Sequence, residues 1–200
     1  MSERQMSMSQ AQSETGAHIV SREAVYEGWY RFERLSIEMP DGVVVERHLL
    51  DNGSAAAVLP YDAQRGCVLL VLQPRAAVLD AGASPLLECI AGNLSGDEPE
   101  ICIRKEALEE AGLALGALEP IANIWPIPPV STERVQLYLA PYTADNRIAP
   151  GGGAADENEN ITVVEIPFSA FKAMVDAGQL PDAKTLIAAQ ALMLRKPELW

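Results

Sequence analysis

The sequence predicts an α+β or αβα-sandwich fold, and three features carry that expectation. Short apolar runs bounded by turn residues alternate with a few helical patterns. A Pro-Asp-Gly turn separates two extended stretches near the N-terminus. One well-delimited helix, over residues 97–112, carries a cluster of carboxylates in the middle of the chain.

Residues 1–17, rich in Ser, Gln and Met, lack periodicity and read as a disordered tail. Tyr26 to Met39 reads as one extended strand, Pro40-Asp41-Gly42 as a turn and Val43 to Leu50 as the returning strand, a hairpin spanning much of the segment 18–54. The remaining residues, 55–200, form the main domain. Ala55 to Pro60 and Cys67 to Gln73, separated by the turn-like YDAQRG, read as adjacent strands of a mixed sheet. The second run delivers Arg75, whose planar fork can bind two phosphate oxygens at once or form a surface ion pair.

In the central helix, Asp97 is the expected N-cap, Glu100 completes a capping box, Pro99 sits in the first turn and Gly112 ends the helix. Ile101, Leu108 and Ala111 are the expected packing face. Glu106, Glu109 and Glu110, at i, i+3 and i+4, project from one side in adjacent turns. Like charges at this spacing repel, costing about 0.2–0.5 kcal/mol per pair, so the cluster favours a cation. Hard carboxylate oxygens suit Mg²⁺, with Mn²⁺ as an alternative. The glutamates alone are equally compatible with a solvated acidic face.

Further on, Leu115 to Trp125 and Val135 to Ala140 read as strands joined by the stiff PIPPVSTE segment. Residues 144–160 form a long Gly-rich, acidic loop, and ITVVEI from Ile161 is the next strand. Helices follow over Phe168 to Ala177 and Asp182 to Leu194, the second capped by Asp182 and apolar at Leu186, Ala189 and Met193.

Composition bounds the function. At 48% hydrophobic, 200 residues suffice for a substantial core. Fifteen basic against 28 acidic residues give a net charge of −13, which disfavours nucleic acid and acidic membranes as partners. No apolar run reaches membrane-spanning length, and the start lacks a secretory signal's apolar stretch, so a cytoplasmic location is expected. Cys67, Cys89 and Cys102 read as buried free thiols in a reducing compartment. Phosphate-loop, dinucleotide and nucleophile-elbow motifs are missing, and Gly151-Gly152-Gly153 precedes acids rather than a helix.

The segment AGNLSGDEPEICIRKEALEEAGL resembles the Nudix box through Gly92, Glu106, Ala107, Glu109, Glu110, Gly112 and Leu113. Its Gly92-to-Glu106 loop is one residue shorter than the general pattern, with Asp97 or Glu98 in place of the early Glu, and Lys105 replaces an Arg. A scan with the general pattern would miss such a box. The wording is similar to that of the GDP-mannose hydrolases within the ADP-ribose pyrophosphatase branch, and STER, DNRIAPGGG, EIPF and DAKT extend the likeness over roughly residues 25 to 195.

The resemblance implies the Nudix fold, a mixed sheet sandwiched between helices with an N-terminal antiparallel hairpin. It implies Mg²⁺-dependent hydrolysis of a nucleoside diphosphate sugar, above all GDP-mannose, to GMP and mannose 1-phosphate. ADP-ribose hydrolysis to AMP and ribose 5-phosphate is the alternative within the class, and a silent nucleotide-sugar-binding module the alternative outside it. The implied metal set is Glu106, Glu110, the Ala91 carbonyl and Glu159, with Glu109 in support and Glu157 competing with Glu159. Trp29, Arg47, Arg75, Gly92, Glu133 and Lys184 are the implied substrate contacts. Trp29 is alternatively an interface aromatic, and Lys184 a solvated lysine. The N-terminal sheet is expected to reach across a homodimer. Pro128 and Pro129 depart from the family's Gly-rich loop before Glu133, which puts sugar and base selection in question.

Overall fold

The computed structural model describes residues 16–153 and 160–200. The expected tail lies almost wholly outside them, as do Glu157 and Glu159. The described residues form two compact units, one of those up to residue 52 with 127–132, the other of those in 53–126 with 133–200.

The first unit is an antiparallel sheet of three strands in the order β1 (His18–Glu27), β2 (Arg31–Glu38) and β3 (Val44–Asp51). The single strand expected from Tyr26 to Met39 is interrupted: Tyr26 belongs to β1, and Gly28-Trp29-Tyr30 turns the chain into β2, with Tyr26 opposite Phe32. Gly28 carries the turn, and its amide donates to the Tyr30 carbonyl at 3.1 Å. The second turn is as expected. Gly42 adopts φ 81°, and the Asp41 carboxylate accepts from the Val43 amide at 3.1 Å. Residues 127–132 run beside β3, the Leu50 and Thr132 amides donating to the Val130 and Leu50 carbonyls.

The second unit is a mixed sheet of seven strands. Its spine is β10 (Thr162–Pro167), β5 (Cys67–Gln73), β4 (Ala55–Asp62), β9 (Val135–Pro141) and β8 (Glu119–Ile124), with β4 and β9 parallel. Successive side chains of β4 and β5 enter opposite cores because the strand period is two. Ala57, Leu59, Val68 and Leu70 pack with Phe168, Phe171, Ala188 and Leu192 of helices α3 (Phe168–Asp176) and α4 (Ala183–Arg195). Ala56, Val58, Leu69 and Val71 pack on the other side with Cys102, Ile103, Ala107 and Ala111 of helix α2 (Pro99–Ala111). The sheet is thus sandwiched between helices, as expected. The strand over Leu115 to Trp125 is confined to Glu119–Ile124, and a short helix α1 (Ala76–Asp80), unforeseen in the sequence, follows Arg75.

The path of β4 and β5 positions the site. They pair only at Tyr61 with Val68 and Asp62 with Cys67, then splay. Into the gap run β6 (Leu86–Glu88), on β5, and β7 (Ile90–Asn93), on β4. The Cys89 amide between them donates to Thr185 Oγ1 at 2.7 Å, fixing the crossing to the start of α4.

Candidate active site

Helix α2 departs from expectation at its start and on its packed side. Its N-cap is Glu98, without a side-chain cap bond, and the Asp97 amide instead donates to the Leu94 carbonyl at 2.7 Å. Pro99 takes the first helical position, so Glu100 falls too early for a capping box. Ile101 and Leu108 are exposed, while Cys102, Ile103, Ala107, Glu110 and Ala111 are buried. The small residues let the helix approach the sheet closely, which turns Ile101 outward. Gly112 ends the helix at φ 62°, as expected.

The box glutamates therefore occupy different environments. Glu110 is 1% exposed. Glu106 lies against β7: a Cβ on Gly92 would stand 2.1 Å from its Cδ, so only glycine leaves space for this carboxylate beside the strand that carries Ala91. Glu109 is half-buried and pairs with Lys105 one turn earlier at 3.9 Å.

The Gly-rich segment after β9 closes over the helix end. Gly152 and Gly153 amides donate to the carbonyls of Glu110 and Glu109 at 2.8 and 3.1 Å, satisfying carbonyls that a helix terminus leaves open. A Cβ on Gly112 would stand 1.8 Å from the Ala149 carbonyl oxygen, and one on Gly151 2.4 Å from that of Glu110. The three glycines are a helix cap rather than a phosphate cradle.

A second charged cluster joins residues 75, 88, 182 and 184. Arg75 donates from Nε and Nη2 to the two oxygens of Glu88 at 2.9 and 3.1 Å. Lys184 Nζ donates to Glu88 Oε2 at 2.5 Å and to Asp182 Oδ1 at 2.9 Å. The other Asp182 oxygen caps α4 by accepting from the Thr185 amide at 3.0 Å. Glu88 is only 3% exposed. Burial opposes its charge, but the Arg75 and Lys184 contacts outweigh burial and hold its pKa below the ordinary carboxylate value. Burial likewise opposes the Arg75 charge, and is outweighed by the Glu88 hydrogen bonds and by the charges of Glu88, Glu110 and Asp182. Lys184 is held above its ordinary value by Asp182 and Glu88 against the same cost of burial.

Arg75 and Lys184, distant in sequence, are thus brought together on Glu88, and Arg75 also lies within the electrostatic reach of Glu110. Lys184 is not a solvated lysine. Glu88 is the residue whose part sequence reasoning missed; its signal was a lone carboxylate inside the apolar run PLLECIAG. Glu133 is half-buried just before β9. In the first unit, Trp29 is 86% exposed on the β1–β2 turn, and Arg47 is an exposed residue of β3 whose Nη1 donates to the Glu46 carbonyl at 2.8 Å. All three cysteines are buried and free, as expected.

Among the described residues, no group of three or more His, Cys, Asp or Glu side chains could hold a metal ion. Mg²⁺ needs no such cage, since it keeps waters and uses one or two carboxylates together with substrate phosphates. Glu106, seated on Gly92, and Glu110, one turn on, supply oxygen donors of that kind. The donor set fits the cation.

No protein-family model matches the chain. A GDP-mannose pyrophosphatase of Cronobacter sakazakii (strain ATCC BAA-894) is 42% identical over 159 residues, covering 78% of this chain and 82% of that protein. Those of Shigella flexneri and Escherichia coli O157:H7 are each 37% identical over 158 residues, covering 77% of this chain and 82% of theirs. A crystal structure described as an ADP compounds hydrolase superposes with a TM-score of 0.72 at 17% identity, covering 91% of this chain and 95% of that one, and shows the fold alone. This degree of identity over most of both chains, with the box carboxylates placed on one helix, means that the chain belongs to the GDP-mannose pyrophosphatase family of Nudix hydrolases.

Proposed function

We propose that the protein is a Mg²⁺-dependent pyrophosphohydrolase of nucleoside diphosphate sugars, with GDP-mannose as substrate and GMP and mannose 1-phosphate as products. The observation that carries this reading is the meeting of two kinds of charge. Carboxylates suited to a divalent cation stand on α2, and the cations Arg75 and Lys184 are paired on Glu88, with Arg75 within the field of Glu110. A diphosphate needs both, because the metal and the cations share its negative charge. The relatives, GDP-mannose pyrophosphatases, supply the sugar and the base of this reading.

In this reading Glu106 and Glu110, with the Ala91 carbonyl and Glu159, hold Mg²⁺, or Mn²⁺ in its place. When bound, the divalent cation neutralises the diphosphate and supplies Lewis acidity. Arg75 and Lys184 orient the phosphates through the donors that Glu88 leaves free, and Gly92 lines the approach. Water attacks one phosphorus in line, a carboxylate oxygen of Glu109 or Glu159 takes its proton, and the anhydride P–O bond breaks. Glu133 contacts the substrate ahead of β9.

The first unit supports a homodimer in which Trp29 and Arg47 serve the partner's active site. Its sheet exposes Val25, Tyr26, Trp29, Val43 and Val44, an apolar surface that a lone chain leaves in water. A cytoplasmic location accords with the buried free thiols. Among the described residues, no helix is long and apolar enough to cross a membrane.

The test is to incubate the protein and Glu110→Gln with GDP-mannose and Mg²⁺ and to separate the products by chromatography. GMP and mannose 1-phosphate, lost in the variant and in excess chelator, are the expected result. Binding without turnover would favour a silent module.

A further inference from the structure

We propose that Glu88 is a positioning residue that binds Arg75 and Lys184 into one clamp for the substrate diphosphate; this rests on the diphosphate reading above. Arg75 uses one edge of its guanidinium on Glu88, through Nε and Nη2. Its side chain is 42% exposed, so Nη1 and the second Nη2 hydrogen remain for phosphate oxygens. Lys184 uses two of its three donors, on Glu88 and Asp182, and keeps the third.

A structural carboxylate inside the sheet would need only one buried cation. Lys184, 16% exposed, already supplies it. Glu88 instead spends both oxygens on Arg75 as well, fixing the plane of a half-exposed guanidinium. The position of Glu88 is itself rigid: β6 pairs it with Val71, and the next residue is held by Thr185. After Glu88, the carboxylate with the greatest pull on Arg75 is Glu110.

The experiment measures GDP binding calorimetrically in the presence of Mg²⁺, alongside GDP-mannose kinetics, for wild type, Glu88→Gln, Glu88→Asp and Arg75→Ala with and without Glu88→Gln. The Gln variant is expected to weaken GDP binding at least tenfold and to raise KM more than it lowers kcat. Asp, too short to reach both cations, is expected to lie between Gln and wild type. In the Arg75→Ala background the Gln substitution is expected to lose most of its effect on GDP, which a purely structural role would not show. Wild-type GDP affinity in Glu88→Gln or, should that variant not fold, in Glu88→Asp would overturn the proposal, as would a wild type that binds no GDP. A wild type that binds GDP but leaves GDP-mannose intact would overturn the substrate reading alone.

Discussion

Glu106 occupies the space where any other residue at position 92 would place its Cβ, 2.1 Å from the carboxylate carbon. The obstructing atoms are the far end of a flexible side chain, so Gly92→Ala can fold by swinging Glu106 away. On the proposed metal-binding role of Glu106, the expected outcome is a melting temperature within a few degrees of wild type and a loss of kcat of about 10²-fold, the cost of misplacing a reacting or positioning group by about 1 Å. Thermal unfolding beside a turnover assay checks it.

Gly112 meets a harder limit. A Cβ there would stand 1.8 Å from a backbone oxygen, that of Ala149, and the residue's φ is 62°. Gly112→Ala is expected to cost about 2–4 kcal/mol, combining left-handed strain with overpacking. Urea denaturation would show it as a lowered midpoint.

The Glu88 cluster makes stability depend on pH in a defined direction. Because contacts with Arg75 and Lys184 outweigh burial, the folded pKa of Glu88 lies below its unfolded value. Its contribution is present above the unfolded pKa, about 4.3, and is lost as pH falls through the folded value. Lys184 is shifted upward, so its contribution is present below the unfolded pKa, about 10.4, and is lost as pH rises through the folded value. Glu88→Gln is therefore expected to be less stable than wild type by about 3 kcal/mol at pH 7, with a narrower gap at about pH 3, below the unfolded pKa. Denaturant midpoints at the two pH values measure this.

The cysteines are expected to be inert in the folded protein. Burial pushes Cys89 up to about 12 and Cys102 up to about 11, far from the thiolate form at neutral pH. An aromatic disulfide reagent at pH 8 should label no thiol in the native protein and all three in denaturant.

Periodicity and turn chemistry made most of the framework legible. The apolar runs became β4 and β5, Gly42 and Gly112 ended the elements they were expected to end, and Asp182 capped its helix. Local patterns gave no account of events that depend on partners distant in sequence. The rotation of α2 follows from the close approach of Ala107 and Ala111 to the sheet, whereas spacing alone favoured Ile101 and Leu108. The break at Gly28 was hidden by β-forming residues on both sides. Arg75 and Lys184 could each be singled out, but their meeting on Glu88 depends on a crossing between splayed strands, which no local pattern encodes.

The most direct measurement is a competition in Mg²⁺ between GDP-mannose and ADP-ribose at equal concentration, with products resolved by chromatography. GMP and mannose 1-phosphate are expected in excess, so that kcat/KM favours GDP-mannose. AMP and ribose 5-phosphate as the dominant products would contradict this reading.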